Sequence, residues 1–328
     1  MRSVGLMASI MLALLMPAGT TAMARTATAA YRVGLLAVDA EATDQSPFGA
    51  GLIRGFARHG YILGRNLVFE RRAAHGELDR LPQLVAELVA SKVAVIVTQG
   101  YPAALAAKEH TTLPVVAVRA GDPVEDGLVE SFARPGGHLT GLSEISAELS
   151  VKRLALLKEA VPSVHRVAML WNAEDLGMSL RYKAAEAEAG KLGIAVESLG
   201  VRAPNGFDAA FATMMRRPPD AILMVTDVLM TLNRKRVIDF AARHRLPAIF
   251  EYDFLVREGG LMSYGPDVTE MFDRAAELAM RILRGADPAQ LPLEAPTRFV
   301  LAINLESARA IGLTLPPSLL ARADDIIE

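Results

Sequence analysis

The chain has 328 residues, no cysteine and a single tryptophan. Without cysteine it forms no disulfide and has no N-terminal thiol to carry a lipid. It also lacks an excess of either charge, with 35 Lys and Arg against 37 Asp and Glu. A basic field of the kind that grips nucleic acid is therefore absent, and nucleic acid is not an expected partner. Several local signatures are missing as well: G-x-S-x-G, H-E-x-x-H, a Walker loop, and G-x-G-x-x-G after the first strand. Hydrolase, zinc-protease, nucleotide and dinucleotide chemistries thus have no motif to stand on. The six histidines, His59, His75, His110, His138, His165 and His244, are scattered without metal-ligand spacing. Neither a metal nor a cofactor is expected.

The one long apolar run, Val4 to Met16, follows Arg2 and leads into Ala22-Met23-Ala24. It is short for a membrane span, and the small residues match a secretory cleavage site. Residues 1–24 are predicted to be a signal peptide, with Ala27-Thr28-Ala29 as a second cleavage site. The mature protein is expected to be soluble in the periplasm. Its length predicts two domains with buried cores.

What is present is a recurring unit, shown best by Lys92 to Asp122. Val93 to Val97 is apolar on both faces and reads as a buried parallel strand. Thr98, Gln99 and Gly100 break the run, Pro102 suits a first helical turn, and Ala103 to Lys108 are mostly helix formers. Leu113 to Val118 is the next predicted strand. Before this unit, strands are predicted at Arg32 to Val38 and Asn66 to Arg71, with helices at Phe48 to His59 and Leu78 to Ala90. Gly121 to Gly141, rich in Gly and Pro, reads as loops. After a helix at Val151 to Val161, strands are predicted at Arg166 to Trp171, Ile194 to Leu199, Ala221 to Val225 and Pro247 to Phe250. Between the first two lies a helix with Leu176, Leu180, Ala184, Ala187 and Leu192 on its apolar side and Arg181 towards water. Later elements are Leu261 to Tyr264, Met271 to Leu283 and Arg298 to Ile303, assigned to the two sheets already built.

The fold class is thus α/β, with two doubly wound parallel-sheet lobes joined by several chain crossings that make a hinge. Such sheets bind ligands beyond the carboxyl ends of their strands. The candidate ligand-binding residues are those just past predicted strand ends: Ser46, Gln99, Gly100, Tyr101 and Arg119 in one half, and Asn172, Asp227, Glu251 and Tyr252 in the other. Asp122 and Thr226 occupy similar places, with Asp122 before Pro123 reading equally as a cap or turn residue. Arg119 is suited to a carboxylate, Asp227 and Glu251 to an ammonium, and Tyr101, Trp171 and Tyr252 to an apolar or aromatic group. A pairing of Arg119 with Asp122 or Glu125 is the alternative.

Several long blocks carry a resemblance: RLPQLVAELVASKVAVIVTQGYPAALAAK, GDPVEDGLVESFARPGGHLTGLS, KRLALLKEAVPSVHRVAMLWN, HRLPAIFEYDFLVREGGLMSYGPD and PTRFVLAINLESARAIGLTLPPSLLARADDIIE. In order and extent they resemble the ABC transporter substrate-binding family that includes tryptophan-binding, TrpX-like members of the type I periplasmic binding protein fold. The resemblance implies a non-enzymatic, monomeric receptor that captures a small solute between two lobes and delivers it to a membrane ABC permease. It implies a first lobe from residues 31–145 plus about 267–297, and a second from 146–266 plus about 298–328. Gln99-Gly100-Tyr101 before Pro102, Asn172-Ala173-Glu174, and Arg119 depart from the family pattern in the expected pocket, so the family's tryptophan preference does not carry over, while Arg119 with Asp227 and Glu251 suggests an amino acid and Arg119 alone another carboxylate. Rival readings are an exported α/β enzyme using Asp227, Glu251 or Asp253, and a sensor for a membrane receptor.

Overall fold

The computed structural model describes residues 30–328, and the predicted signal segment lies outside them. In the first sheet, β1 (Tyr31–Ala37) is followed by α1 (Pro47–Ala57), β2 (Leu67–Ala73), α2 (Leu81–Ala90), β3 (Val95–Gln99), α3 (Tyr101–His110), β4 (Val115–Val118) and β5 (Leu139–Gly141). The order is β2-β1-β3-β4-β5, and every pairing is parallel. The chain then builds α4 (Ser146–Ala160), β6 (Arg166–Asn172), α5 (Leu176–Ala189), β7 (Ala195–Val201), α6 (Gly206–Arg216), β8 (Ala221–Met224), α7 (Val228–Arg243), β9 (Ala248–Phe250), α8 (Asp253–Arg257) and β10 (Met262–Pro266). Last come α9 (Val268–Leu283), β11 (Phe299–Asn304), α10 (Leu305–Ile311), α11 (Pro317–Leu320) and β12 (Asp325–Ile327).

The second sheet has the order β12-β11-β10-β9-β8-β6-β7, parallel except where β10 meets β11. Each sheet is apolar on both faces because helices cover both. On the first, α1 and α9 pack one face around Leu35, Leu52, Phe56, Phe272 and Ala276, while α2 and α3 pack the other around Leu36, Val85, Ile96 and Ala104. On the second, α4 and α5 pack around Leu157, Met169 and Ile303, and α6 and α7 around Phe207, Ile222 and Phe250. The α1–α9 contact is close because α1 is rich in glycine. A Cβ on Gly51 would lie 2.5 Å from Phe272 Cβ, and one on Gly55 2.5 Å from Ala276 Cβ. This fold is the predicted α/β class of two doubly wound lobes.

The lobes are joined by three stretches of chain. The first leaves β5 and runs to α4, the second joins β10 to α9, and the third enters β11. The first and third lie side by side: Ser143 N donates to Glu294 O at 2.9 Å, and Glu294 N to Gly141 O at 3.0 Å. The second is tied to the third by Asp267 N donating to Arg298 O at 3.0 Å.

Three local expectations are corrected. Leu139 to Gly141, read as loop, is the edge strand of the first sheet, with Gly136 and Gly137 at φ 74° and 58° turning the chain into it. The three- and four-residue spacing of Leu78, Leu81, Leu84, Val85, Leu88 and Val89 predicts one buried stripe, but Leu78 and Val89 are exposed, so the stripe of α2 is the narrower set Leu81, Leu84, Val85 and Leu88. In α5 the faces are rotated, for Leu176 is exposed while Gly177, Met178, Arg181, Ala185 and Ala189 are buried. Small residues let α4 approach α5, and Arg181 is held inside by carboxylates.

Candidate functional site

The strand ends of the two sheets face each other across one cavity of about 680 Å³. From the first lobe it is lined by Val38, Asp39, Gln99, Gly100, Tyr101 and Arg119, and from the second by Asn172, Thr226, Asp227 and Tyr252. Gly100 takes φ 96° so that the chain can turn from β3 into α3, and a Cβ there would lie 2.9 Å from Val38 Cγ2. Tyr101 therefore begins a helix at the cavity wall, and its hydroxyl donates to Asp126 O at 3.3 Å.

Arg119 sits just after β4 in the left-handed region at φ 53°. Its guanidinium carbon lies 4.4 Å from the centre of the Tyr252 ring, across the lobe boundary. Burial works against its charge, but Tyr252, Glu144 and Asp39 together hold its pKa above the ordinary value. Its buried Nε has no protein partner. The alternative pairing with Asp122 or Glu125 is not formed: Asp122 instead accepts from Ser146 N at 2.8 Å and Ala147 N at 3.1 Å, capping α4. Asp227 caps α7 by accepting from Met230 N at 2.8 Å, and it also receives Asn172 Nδ2 at 2.6 Å. Burial outweighs these two contacts and raises its pKa.

Beneath the floor lies a buried network. Glu251, 1% exposed, accepts from Arg153 Nη1 at 2.9 Å, Arg181 Nη1 at 3.3 Å and Thr226 N at 2.9 Å. Arg153 Nε donates to Tyr264 O at 2.7 Å. Glu144, on the first crossing, lies 4.0 Å from Arg181, accepts from Gly121 N at 3.1 Å, and receives the Tyr252 hydroxyl. Two carboxylates and two guanidiniums thus balance in the interior, and burial alone would have been costly for each.

A family model described as ABC transporter substrate binding protein matches residues 36–327. This chain belongs to that family. Among relatives, the substrate-binding protein is 24% identical to a "Tyrosine-binding protein" from Clostridioides difficile over 265 residues, 80% of this chain and 76% of the relative. It superposes with TM-score 0.84 and 26% identity on a conserved domain protein from Vibrio cholerae, covering 90% of this chain and 99% of that one. It superposes with TM-score 0.83 and 24% identity on an ABC domain in complex with L-Trp from Streptococcus pneumoniae, covering 91% and 100%. Family and relatives are solute-binding proteins and not enzymes, and proteins of this family typically work outside the cytoplasm.

Of the nine candidate residues in this substrate-binding protein, the structure brings Gln99, Gly100, Tyr101, Arg119, Asn172, Asp227 and Tyr252 to the cavity wall. Ser46 is not on that wall; its Oγ accepts from Gly49 N at 3.2 Å and caps α1. Glu251 lies one layer behind, where its oxygens are occupied by the two arginines. Trp171 also points elsewhere, stacked on Tyr182 at 5.3 Å with Nε1 donating to Ser198 Oγ at 3.0 Å. The sequence reading missed Asp126, Glu144, Asp175 and Arg181, all of which line the cavity. Asp175 followed by Leu-Gly-Met was legible as a helix cap, and it accepts from Met178 N at 3.0 Å. The other three had no local signal, since Arg181 and Glu144 meet only through tertiary structure. The mouth carries exposed Leu78, Leu176 and Leu232, an apolar rim over a charged floor.

Proposed function

We propose that this protein is exported by cleavage of its signal segment and works in the periplasm as a monomer. There it captures a free amino acid between its lobes and presents the closed complex to an ABC permease. The observation that carries this reading is the unpaired Nε of Arg119 in the interlobe cavity, opposite a wall bearing Asp175 and Asp227. A guanidinium with a free N–H suits a carboxylate, and carboxylates across the gap suit an ammonium. Tyr101 and Tyr252 supply aromatic surface at the same wall, and the tyrosine-binding relative supports an aromatic solute. The residues proposed to touch it are Gln99, Gly100, Tyr101, Arg119, Asn172, Asp227 and Tyr252. The first lobe is taken as residues 31–145 plus about 267–297, and the second as the remainder. A solute touching both would favour the closed arrangement.

Mass spectrometry of solute released from the purified protein, followed by calorimetry with Arg119→Ala and Arg119→Lys, tests the proposal. Loss of a buried charged partner commonly costs about 2–5 kcal/mol of binding. Lysine should restore little, because it cannot reproduce the planar fork. Unchanged binding of the identified solute in Arg119→Ala would remove the carboxylate contact.

A further inference from the structure

Asp126 lies in the loop after β4 and is only 7% exposed, yet its Oδ1 has no hydrogen-bond partner and its side chain lines the cavity. Its other oxygen, Oδ2, accepts from Asp122 N at 3.2 Å. The Tyr101 hydroxyl, from α3, donates to the Asp126 carbonyl and steadies the loop. Across the gap stands the first turn of α5. There a Cβ on Gly177 would lie 3.0 Å from Asp126 Oδ1 and 3.1 Å from Oδ2, so only glycine at this point of α5 leaves the carboxylate uncrowded.

The charges around Asp126 leave it underserved. Arg181, from α5, directs its ion pairs to Glu251 at 3.3 Å and Glu144 at 4.0 Å. Asp122 on the same loop and Asp175 at the head of α5 repel it. Burial is the largest influence on Asp126 and raises its pKa; Arg181 and the Asp122 amide pull the other way, Asp122 and Asp175 add to the rise, and the result is about 7. Asp227, at the head of α7, is also raised, first by burial and in part by Asp175. Three carboxylates from two lobes therefore line one cavity, and the one from the first lobe carries an oxygen without a protein partner. Among the described residues no group of three or more His, Asp or Glu side chains converges closely enough to hold a metal ion. The geometry favours an organic cation.

We propose that Asp126 takes up the ammonium group of the solute, bridging it to the α5 and α7 ends of the second lobe, and that a proton leaves the protein when it does so. This deepens the amino-acid reading above and rests on it. The solute's own amino group stays protonated between pH 5 and 8, and among the described residues no histidine lines the cavity. The released proton therefore comes from the carboxyls that burial raises, Asp126 first and Asp227 after it, and passes to the buffer.

The test is calorimetry with L-tyrosine, L-tryptophan and their des-amino analogues in two buffers of different ionisation enthalpy, from pH 5 to pH 8. For the wild-type protein, about half a proton should be released per amino acid bound at pH 7, and affinity should fall towards tenfold per pH unit below that. Asp126→Asn should remove most of the release, flatten the pH profile and weaken amino-acid binding at pH 8 by roughly 30-fold or more. Gly177→Ala, which crowds the same carboxylate, should weaken the amino acids more than the des-amino analogues. The analogues should bind wild type and Asp126→Asn alike. If Asp126→Asn keeps the proton release and the preference for the ammonium form, the inference is wrong while the amino-acid reading stands. If neither these nor any other L-amino acid binds, both fall.

Discussion

Glu251→Gln removes one charge from the buried network while keeping the side chain's size and an oxygen for the Thr226 amide. The amide NH₂ that replaces one carboxylate oxygen would face donors, since Arg153 Nη1 stands 2.9 Å and Arg181 Nη1 3.3 Å from Glu251. Both guanidiniums would then share Glu144, which is 4.0 Å from Arg181. Breaking a buried ion pair from one side costs about 3–5 kcal/mol. At about 2–4 °C per kcal/mol for a domain of 150–250 residues, the second lobe should melt roughly 6–20 °C lower. The control is Glu258→Gln, whose pair with Arg234 is shorter, at 2.7 Å, but lies at the surface. Exposed pairs contribute about 0–1 kcal/mol, so this variant should shift by no more than about 4 °C. Thermal unfolding followed by circular dichroism compares the two. Equal shifts in both variants would refute the reasoning, because distance and not burial would then set the strength of these pairs.

Gly100→Ala should destabilise the first lobe by about 1–3 kcal/mol, since it forces a Cβ onto φ 96° and against Val38; an unchanged denaturation midpoint would contradict this. Gly51→Ala should cost about 1–3 kcal/mol by overpacking α1 against Phe272, read in the same urea titration. The solute-free protein should lose stability as pH rises from about 4 to about 7. Unfolded Asp126 ionises near 3.8 while the folded group keeps its proton to about 7, so the folded state binds more protons across that window. Asp126→Asn should flatten that limb, and an identical slope would discount it. Small-angle scattering should show a more compact particle when solute is added to an open form, and an unchanged curve with a saturating ligand would count against lobe closure.

The alternation of β-branched runs with helix formers made both sheets legible, because parallel strands covered on both faces are written as short apolar runs. Strand β5 was not, since Leu139-Thr140-Gly141 is too short to show a period and owes its place to pairing with β4. The cavity wall could be named from strand ends, as with Arg119 and Asp227. Its depth could not: Glu251 follows β9 just as Tyr252 does, yet faces the core. Arg181 failed the hydropathy reading for the same reason, because its burial is made tolerable by Glu251, seventy positions along the chain.

The placement of α9 has a consequence for how the molecule assembles. This helix covers β3 and β4 and packs on α1, yet β6 to β10 are synthesised before it. Until it emerges, α1 alone covers that face of the sheet, and the β3 and β4 side of it around Val97 and Val116 stays open. A fragment ending after β5 should therefore expose an apolar face and aggregate. Folding of the first lobe has to wait for contacts of high sequence separation, which slows it relative to a domain closed by its own neighbours. A circular permutant that moves α9 and its flanks ahead of β1 would make those contacts local.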